Sequence, residues 1–330
     1  MRAARARAHA NIAIAKYWGK ADEAANLPAV PSVSVTLEEL TTTTTVQFDD
    51  SIAMDQLLLD GEATEGKALR RVVALLDRVR ERSALSLRAR VESSNDFPTA
   101  SGLASSASAF AALAMAATAA AGLETDPSYV SDLARRSSAS AARSVLGGFV
   151  RLASAAPGAA RLAAEQLAPA DHWDLRVVIA VNAEGPKPVG STDGMLHTQK
   201  TSPYYASWVA LCPRIAHAVQ QAIASRDIAA LGQAAEQSAM AMHASAMAAE
   251  PSVLYFEPAT IACLRTVHEL RRGGVAAYAT MDAGPHVKVF TLPDFVDEVA
   301  SRIRATPGVL RTLVSKVGGP ATVTLLAEAG

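Results

Sequence analysis

The sequence is poor in cysteine and aromatic residues and carries almost no net charge. Of its 330 residues two are cysteines and 5% are aromatic, and 31 basic side chains nearly balance 32 acidic ones. Cys212 and Cys263 lie far apart in helix-like sequence, which excludes a disulfide framework or a CxxC motif and predicts a cytoplasmic location. The charge balance offers no overall footprint for nucleic acid or an anionic membrane, so neither is an expected partner.

Long apolar runs are also missing. The most apolar long segment, residues 107–121, is mostly alanine and shorter than the ~18 residues of a membrane span, so it predicts a buried helix. The arginine-rich start is compatible with a transit peptide. In residues 5–14, however, polar side chains alternate with alanine and isoleucine, and this period of two indicates a half-buried strand.

Four common catalytic motifs are absent: GxxxxGK[ST], GxGxxG, HExxH and GxSxG. The usual signals of P-loop, dinucleotide, zinc-protease and hydrolase chemistry are therefore missing. The chain is longer than a typical single domain, and its strand-like and helix-like segments mix without a strict βαβ rhythm. We predict two α+β domains, 1–172 and 173–330.

Periodicity and chain-breaking residues predict the order of the elements. Strands are predicted near 5–15, 33–48, 85–93, 175–181, 275–281, 287–292, 309–316 and 321–327. Helices are predicted near 64–82, up to 121, from 127, near 203–224, 226–249 and 258–272, and from 293. A connector is predicted at 161–169. The threonines 41–45, which are β-branched, predict an exposed strand.

The segment Pro98-Thr-Ala-Ser-Gly-Leu-Ala-Ser-Ser-Ala107 places small residues where a helix begins. Gly102 permits a turn, and small side chains leave the first helical amides open to an anion. The hydroxyls of Ser105 and Ser106 can donate hydrogen bonds or help to hold a metal. The alternative is a helix simply capped by Ser101 or Ser105.

A second segment, Asn11-Ile-Ala-Ile-Ala-Lys-Tyr-Trp-Gly-Lys20, places two lysines and two aromatic residues directly after a buried strand. Two ammonium groups can neutralise a multiply charged phosphate, and the aromatic rings can exclude water. The alternative is an ordinary exposed strand end.

A third segment is Ala134-Arg-Arg-Ser-Ser-Ala-Ser-Ala-Ala-Arg-Ser144. Ser138, Ser140 and Arg143 can meet on one side of a helix start, where the arginine can form paired hydrogen bonds with a carboxylate or phosphate. A serine-rich turn without ligand is the alternative.

In a fourth segment, Thr280-Met-Asp-Ala-Gly-Pro-His-Val-Lys288, a carboxylate lies between two apolar strands. Asp282 is either a turn-forming residue or a general base at the end of a buried strand.

Together these segments resemble the mevalonate diphosphate decarboxylases, a branch of the superfamily of galactokinase, homoserine kinase, mevalonate kinase and phosphomevalonate kinase. A fifth segment, Ser191-Thr-Asp-Gly-Met195 followed by Thr201-Ser-Pro203, also matches, and the order holds from residue 10 to 285. The resemblance implies a ribosomal-protein-S5-domain-2-like N-terminal domain and a ferredoxin-like C-terminal domain. The active site would lie in the cleft between them.

The resemblance implies ATP-dependent decarboxylation of mevalonate 5-diphosphate to isopentenyl diphosphate, ADP, phosphate and carbon dioxide, with Mg²⁺ and as a homodimer. Phosphorylation of the tertiary 3-hydroxyl would first convert a poor leaving group into a good one. The alternatives are a mevalonate 5-phosphate decarboxylase, a 3-hydroxyl kinase that does not decarboxylate, and a non-catalytic binding module on the same fold.

The resemblance also implies a role for each matching residue. Asp282 would take or orient the 3-hydroxyl proton, Arg143 would hold the substrate carboxylate, and Lys16 would support the ionised Asp282. The ATP-binding residues would be Pro98, Ser101, Gly102, Leu103, Ala104, Ser105 and Ser106, with Ser105 or Ser106 near Mg²⁺. The substrate-binding residues would be Tyr17, Trp18, Lys20, Ser138, Ser140 and Arg143.

Five positions depart from the family pattern. His286 stands where asparagine is usual, Ala21 where arginine is frequent, and Ser137 and Ala139 where glycines are common; Thr192 lies near a position where some bacterial relatives carry a phosphate-binding arginine. These departures leave the three implied catalytic residues intact. They leave both the 5-diphosphate and the 5-phosphate open as substrates.

Overall fold

The structure is a computed structural model that describes residues 2–97, 105–185 and 188–327. Its strands are β1 (Arg2–Ala15), β2 (Lys20–Asp22), β3 (Leu27–Pro28), β4 (Ser32–Asp49), β5 (Gln56–Leu59), β6 (Glu62–Ala63), β7 (Arg88–Asn95), β8 (Phe149–Leu152), β9 (Glu165–Ala168), β10 (Arg176–Val181), β11 (Tyr278–Met281), β12 (Val287–Thr291), β13 (Arg311–Lys316) and β14 (Thr322–Leu326). Its helices are α1 (Gly66–Ser83), α2 (Ser105–Ala120), α3 (Pro127–Ser137), α4 (Ala141–Ser144), α5 (Ser191–Thr201), α6 (Tyr205–Ser225), α7 (Ile228–Met247), α8 (Pro258–Arg272) and α9 (Val296–Arg304), with short 3₁₀ helices at Ala170–His172 and Pro293–Phe295.

The first sheet forms around the long antiparallel pair β1 and β4. Its order is β14-β1-β4-β7-β5-β6, and β8 and β9 join it beside the start of β4. On β1 the alanines Ala4, Ala6 and Ala8 are buried while Arg5 and Arg7 are exposed, as the period of two predicts. The buried face packs against α1, α2 and α3, which forms the core of the first half.

The threonine run does not form an exposed strand, so that prediction was wrong. β4 is an interior strand that pairs with β1 on one side and β7 on the other. Thr41, Thr42 and Thr44 are buried. Two of these hydroxyls have partners on neighbouring elements, since Thr42 Oγ1 lies 2.6 Å from Ser108 Oγ on α2 and Thr44 Oγ1 lies 2.8 Å from Ser93 Oγ on β7. Hydrogen bonding of this kind lets polar side chains be buried at little cost.

The predicted buried helix at 107–121 is confirmed as α2. From Ala107 onward almost every side chain of this helix is buried, since it lies between the first sheet and α3 and α4. Alanine suits this position because its small side chain permits close approach on several sides. No helix within the described residues is both long and apolar enough to span a membrane.

The second sheet is antiparallel and has the order β11-β12-β10-β13. Helices separate β10 from β11, β12 follows β11 directly, and α9 leads to β13. This strand order and helix placement confirm the ferredoxin-like arrangement predicted for the second half. α8 and α9 pack on the sheet through a core that includes Cys263, Leu264 and Val299.

The two halves share one apolar core. Ile12, Ile14 and Phe149 of the first half pack in the same cluster as Ile179 and Val219 of the second. The last strand, β14, returns to pair with β1 in the first sheet although it lies beyond residue 173. The domain boundary at 172/173 stays a prediction.

Several elements were not predicted from the sequence, namely β2, β3, β5, β6, β8, β9, α4 and α5. The predicted connector at 161–169 contains the short strand β9, which pairs with β8. Residues 191–201, for which no helix was predicted, form α5. This helix is polar and contains glycine, so periodicity gave no signal, and it buries only Gly194, Met195 and Thr198.

Gly147 offers a direct test of how closely the segment before β14 packs against the first half of the chain. Its φ is +67°, and a Cβ added there would lie 2.1 Å from the Gly319 carbonyl carbon. Gly147→Ala should reduce the free energy of unfolding by about 1–3 kcal/mol more than Gly158→Ala, as judged by urea unfolding. Gly158 is a matched control because its φ is +81° and no atom lies within 4 Å of its added Cβ. Equal losses in the two variants would contradict the close approach.

Candidate active site

A cavity of about 620 Å³ lies between the two halves, where β1, the turn after it and the helices of the first half face α5, α7 and the turn after β11. It brings together all the predicted site residues that the structure describes, namely Lys16, Tyr17, Trp18, Lys20, Ser105, Ser106, Ser138, Ser140, Arg143 and Asp282. The predicted ATP-binding residues Pro98, Ser101, Gly102, Leu103 and Ala104 lie outside the described residues.

A cluster of buried charges surrounds Asp282. This residue directly follows β11, and its Oδ1 accepts a hydrogen bond from Lys16 Nζ at 2.6 Å. Lys288 on β12 places its Nζ 3.4 Å from Oδ2. Both lysine side chains are 1% exposed, whereas the carboxylate side chain is 25% exposed. The sequence analysis missed Lys288, and its signal was a charged residue inside the otherwise apolar run at 287–292.

The cluster keeps the carboxylate ionised. Burial acts to raise the pKa of Asp282, but the charges of Lys16 and then Lys288 outweigh it, and the pKa lies well below its ordinary value. Burial lowers the pKa of Lys16 to about 8, although Asp282 acts in the opposite sense. At neutral pH Asp282 is therefore ionised and able to accept a proton. Its partner Lys16 loses its proton at a lower pH than an ordinary lysine does.

Arg143 on α4 is a second buried cation at the cavity wall. Its Nη1 donates to Ser32 Oγ at 2.7 Å and its Nη2 to Asn11 Oδ1 at 3.4 Å. Its Nε has no hydrogen-bond partner among the described residues. Burial lowers the pKa of Arg143 to about 10, while Asp282 raises it. A buried guanidinium with an unused donor beside a cavity is suited to a carboxylate or phosphate ligand.

Asn11 is a positioning residue that the sequence analysis did not assign. Its Nδ2 donates to Ser140 O at 3.0 Å and to Ser144 Oγ at 2.8 Å, while its Oδ1 accepts from Arg143. Alternation along β1 placed Asn11 on the polar face, yet it is buried. The reason is an irregularity in the β1–β4 register between His9 and Asn11, which interrupts the alternation.

The turn that carries Lys16 to Lys20 is fixed by the second half of the chain. The Lys16 N–H donates to Ser238 Oγ at 2.9 Å, and the backbone of Lys20 exchanges two hydrogen bonds with the Gln199 side chain. Gly19 has a φ of +121°, and a Cβ there would lie 2.0 Å from the Tyr205 hydroxyl. The turn therefore requires glycine and depends on contacts from α5, α6 and α7.

Aromatic side chains form one wall of the cavity. Trp18 is buried, and its carbonyl accepts from Trp208 Nε1 at 2.7 Å. The Tyr17 hydroxyl is buried without a hydrogen-bond partner among the described residues, and burial raises the pKa of Tyr17. Tyr17 is thus a neutral donor available to a ligand. Ser138 Oγ and Ser140 Oγ lie 3.1 Å apart at the same cavity.

Additional cations line the cavity from α1 and α3. Lys67, Arg71 and Arg78 fall on one face of α1, and Arg136 lies near the end of α3. Within the described lining there are seven lysine or arginine side chains against three carboxylates. Sequence analysis missed these four residues because cations on an amphipathic helix are usually solvent-exposed. Their convergence makes the cavity a site for a polyanion.

His286, one of the departures from the family pattern, supports the turn rather than the cavity. Its Nδ1 accepts from the Asn182 N–H at 3.2 Å, and Asn182 Nδ2 donates to Pro285 O at 2.9 Å. These bonds tie the turn after Asp282 to the end of β10.

Behind the same turn lies a buried histidine, His243 on α7. Its ring packs at 4.6 Å from that of Phe256, and its Nε2 has no hydrogen-bond partner among the described residues. Burial lowers the pKa of His243 to about 3, and the charge of Lys16 acts in the same direction. The ring is therefore neutral at physiological pH.

The fold, the basic cavity and the buried ionised carboxylate together define an enzyme of the small-molecule phosphoryl-transfer class. Two family models match the chain, the diphosphomevalonate decarboxylase-like N-terminal domain over residues 8–163 and the mevalonate 5-diphosphate decarboxylase C-terminal domain over residues 177–318. A diphosphomevalonate decarboxylase from Aspergillus fumigatus is 37% identical over 320 residues, covering 90% of this chain and 79% of the relative. The chain belongs to the diphosphomevalonate decarboxylase family, which confirms the resemblance seen in its motifs.

Solved structures agree with this assignment. The crystal structure of mevalonate diphosphate decarboxylase from Staphylococcus aureus is 35% identical, with a TM-score of 0.93 and 98% of each chain covered. A solved complex with MVAPP, AMPPCP and magnesium is also 35% identical, with a TM-score of 0.92, and covers 98% of this chain and 99% of that one. The predicted α+β fold is confirmed over nearly the whole length.

The buried His243 should make the protein sensitive to acid. Its folded-state pKa lies far below the ordinary value of 6.5, so between pH 6.5 and about 3 the unfolded chain binds a proton that the folded chain excludes. Stability attributable to this residue is present above pH 6.5 and is lost as the pH falls. From pH 7 to pH 5 the native chain should lose about 2 kcal/mol of unfolding free energy more than His243→Gln.

Urea unfolding at several pH values measures this difference. A matched control is His217→Gln, which makes the same substitution at a solvent-exposed position. An unchanged slope in His243→Gln would show that the histidine is protonated in the folded state.

Proposed function

We propose that the protein catalyses ATP-dependent decarboxylation of mevalonate 5-diphosphate to isopentenyl diphosphate, ADP, phosphate and carbon dioxide. One observation carries this proposal above the others. A buried, ionised Asp282, held by Lys16 and close to Arg143, lies at a polycationic cavity in a chain of the diphosphomevalonate decarboxylase family.

In the first step Asp282 accepts the proton of the 3-hydroxyl. The hydroxyl oxygen forms a bond to the terminal phosphorus of ATP, and ADP leaves with the electrons of the broken P–O bond. Lys16 offsets the negative charge that develops on the transferring group. Catalysis of this step is mainly alignment and charge neutralisation, and the buried cluster provides both.

In the second step the phosphorylated oxygen leaves as phosphate with its bonding electrons. The bond between the carboxylate carbon and its neighbour breaks, its electron pair forms the new carbon–carbon double bond, and carbon dioxide is released. Arg143 holds the carboxylate so that the breaking bonds stay aligned. Its buried position, fixed by Ser32 and Asn11, suits this role.

The remaining predicted residues bind phosphate groups. We assign Tyr17, Lys20, Ser138 and Ser140 to the substrate diphosphate, with Trp18 as the wall that excludes water. We also assign the predicted ATP-binding segment 98–106 to the ATP phosphates; its described members Ser105 and Ser106 line the cavity together with the cations of α1.

Mg²⁺ fits this site as an ion bound chiefly by phosphate oxygens. Within the described residues no group of three or more His, Cys, Asp or Glu side chains is arranged to hold a metal ion. Mg²⁺ commonly has few protein ligands and completes its coordination with substrate phosphates and water. Ser105 or Ser106 would supply a hydroxyl, and the ion would neutralise phosphate charge.

The charge of the cavity favours the 5-diphosphate over the 5-phosphate as substrate. Thr192 lies at the cavity in place of an arginine, but Lys67, Arg71, Arg78 and Arg136 add positive charge to the same lining. This surplus compensates for the missing arginine.

Three broader features accompany the proposal. We propose domains 1–172 and 173–330 with the active site between them, a homodimer as the family resemblance implies, and a cytoplasmic location. The two buried, unpaired cysteines support a reducing compartment. Sedimentation equilibrium would establish the subunit number.

A comparison of three substrates tests the function. The protein should release ADP and an equal amount of carbon dioxide with mevalonate 5-diphosphate and Mg²⁺-ATP. With mevalonate or its 5-phosphate, kcat/KM should be lower by at least about 100-fold, because the second phosphate loses its contacts with the cations. ADP without carbon dioxide would identify a kinase, and a preference for the 5-phosphate would overturn the substrate assignment.

A further inference from the structure

The two lysines that contact Asp282 have different access to the ligand. Lys16 lines the cavity, but Lys288 does not. They also approach from different sheets and bind different oxygens, since Lys16 follows β1 and contacts Oδ1, while Lys288 lies on β12 beside Oδ2.

Lys288 is held in the interior of the second sheet. It pairs with Thr280 on β11 and with Ile179 on β10, and its side chain is 1% exposed. No other carboxylate of the described residues lies within 4.0 Å of its ammonium. Burying an unpaired ammonium group among apolar strands destabilises the folded chain. The burial of Lys288 is therefore explained by its ion pair with Asp282.

The local charge is unbalanced before any ligand binds. One carboxylate, Asp282, lies among three cations, Lys16, Lys288 and Arg143. Lys16 and Arg143 both line the cavity, so both can interact with an arriving polyanion. Lys288 does not line the cavity, so a ligand there does not compete for its contact with Asp282 Oδ2.

We propose that Lys288 is a positioning residue that keeps the Asp282 carboxylate ionised and oriented while Lys16 engages the transferred phosphoryl group. The inference rests on the proposed function and assigns separate tasks to the two lysines. Without Lys288, the carboxylate would lose its remaining cation at the moment when it must act as a base, and the nearby phosphates would favour its protonation.

Four groups face the Asp282 side chain or its backbone. They are Lys16 from the turn after β1, Lys288 from β12, Arg143 from α4 and His243 from α7. Lys16 and Arg143 line the cavity and can interact with a bound ligand, and His243 is neutral. Lys288 is therefore the one of these four groups whose positive charge stays directed at Asp282 when a ligand binds.

The test compares the pH dependence of kcat in three proteins, the native chain, Lys288→Met and Lys288→Arg. Lys288→Met removes the charge but keeps an unbranched apolar side chain. Its kcat should fall about tenfold at pH 8, and the acidic limb of its kcat profile should lie about 1–2 pH units above that of the native chain. Lys288→Arg retains the charge and should restore the native shape of the pH profile. The substrate and ATP ionise in the same way in all three assays. A difference between the pH profiles therefore reports ionisation of a group on the protein.

Each outcome has one meaning. An acidic limb of Lys288→Met that coincides with that of the native chain, or no loss of kcat at all, would overturn the positioning role. Thermal unfolding and binding of a non-hydrolysable ATP analogue show whether the variant is folded, and Lys288→Gln replaces it if it is not. Absence of carbon dioxide release from the native chain would instead count against the proposed function, so the two failures are distinguishable.

Discussion

The ion pair between Lys16 and Asp282 is the constraint on which the active site depends. The two residues are 266 positions apart in the chain, and their atoms meet at 2.6 Å in a largely buried setting. A buried charge without its partner typically costs about 3–5 kcal/mol, so each half of the chain needs the other. The shared apolar core and the return of β14 to the first sheet bring these halves together. The site is therefore a product of the contact between the two sheets.

Charge is segregated locally although the whole chain is nearly neutral. Seven cations converge on the described cavity lining, while the full sequence carries one net negative charge. Such a distribution attracts a polyanion to one place without making the protein a general binder of nucleic acid. Arg143 Nε and the Tyr17 hydroxyl are buried and have no hydrogen-bond partner within the described part of the chain, so both add directional donors to this field.

Local patterns indicated residues that line the cavity more reliably than they indicated the residues that hold them in place. Lys16 and Asp282 each directly follow a buried strand, and this local feature pointed to two side chains that meet in the structure, while their catalytic roles stay predictions. Asn11 was placed on the wrong face because periodicity does not reveal a register irregularity. The threonines of β4 were taken as exposed because their hydroxyl partners on β7 and α2 come from distant sequence.

Lys288 and the α1 cations illustrate the same limit. A lysine in an apolar strand and arginines on an amphipathic helix are common in many proteins, and only the tertiary arrangement shows that they converge on one carboxylate or one cavity. The fold class required less information, since alternating strands and alanine-rich helices define the α+β pattern locally. Local sequence thus indicated residues that line the cavity and missed those whose placement depends on neighbours far along the chain.

We propose that Asp282, kept ionised by its buried cations, is the base of the reaction. Carbon dioxide release by Asp282→Asn, measured in a single turnover with ATP binding followed in parallel, tests it most directly. The variant keeps the shape of the side chain but cannot accept the proton, so turnover should fall by at least about 1,000-fold while ATP still binds. Carbon dioxide release within about tenfold of the native rate would contradict the account.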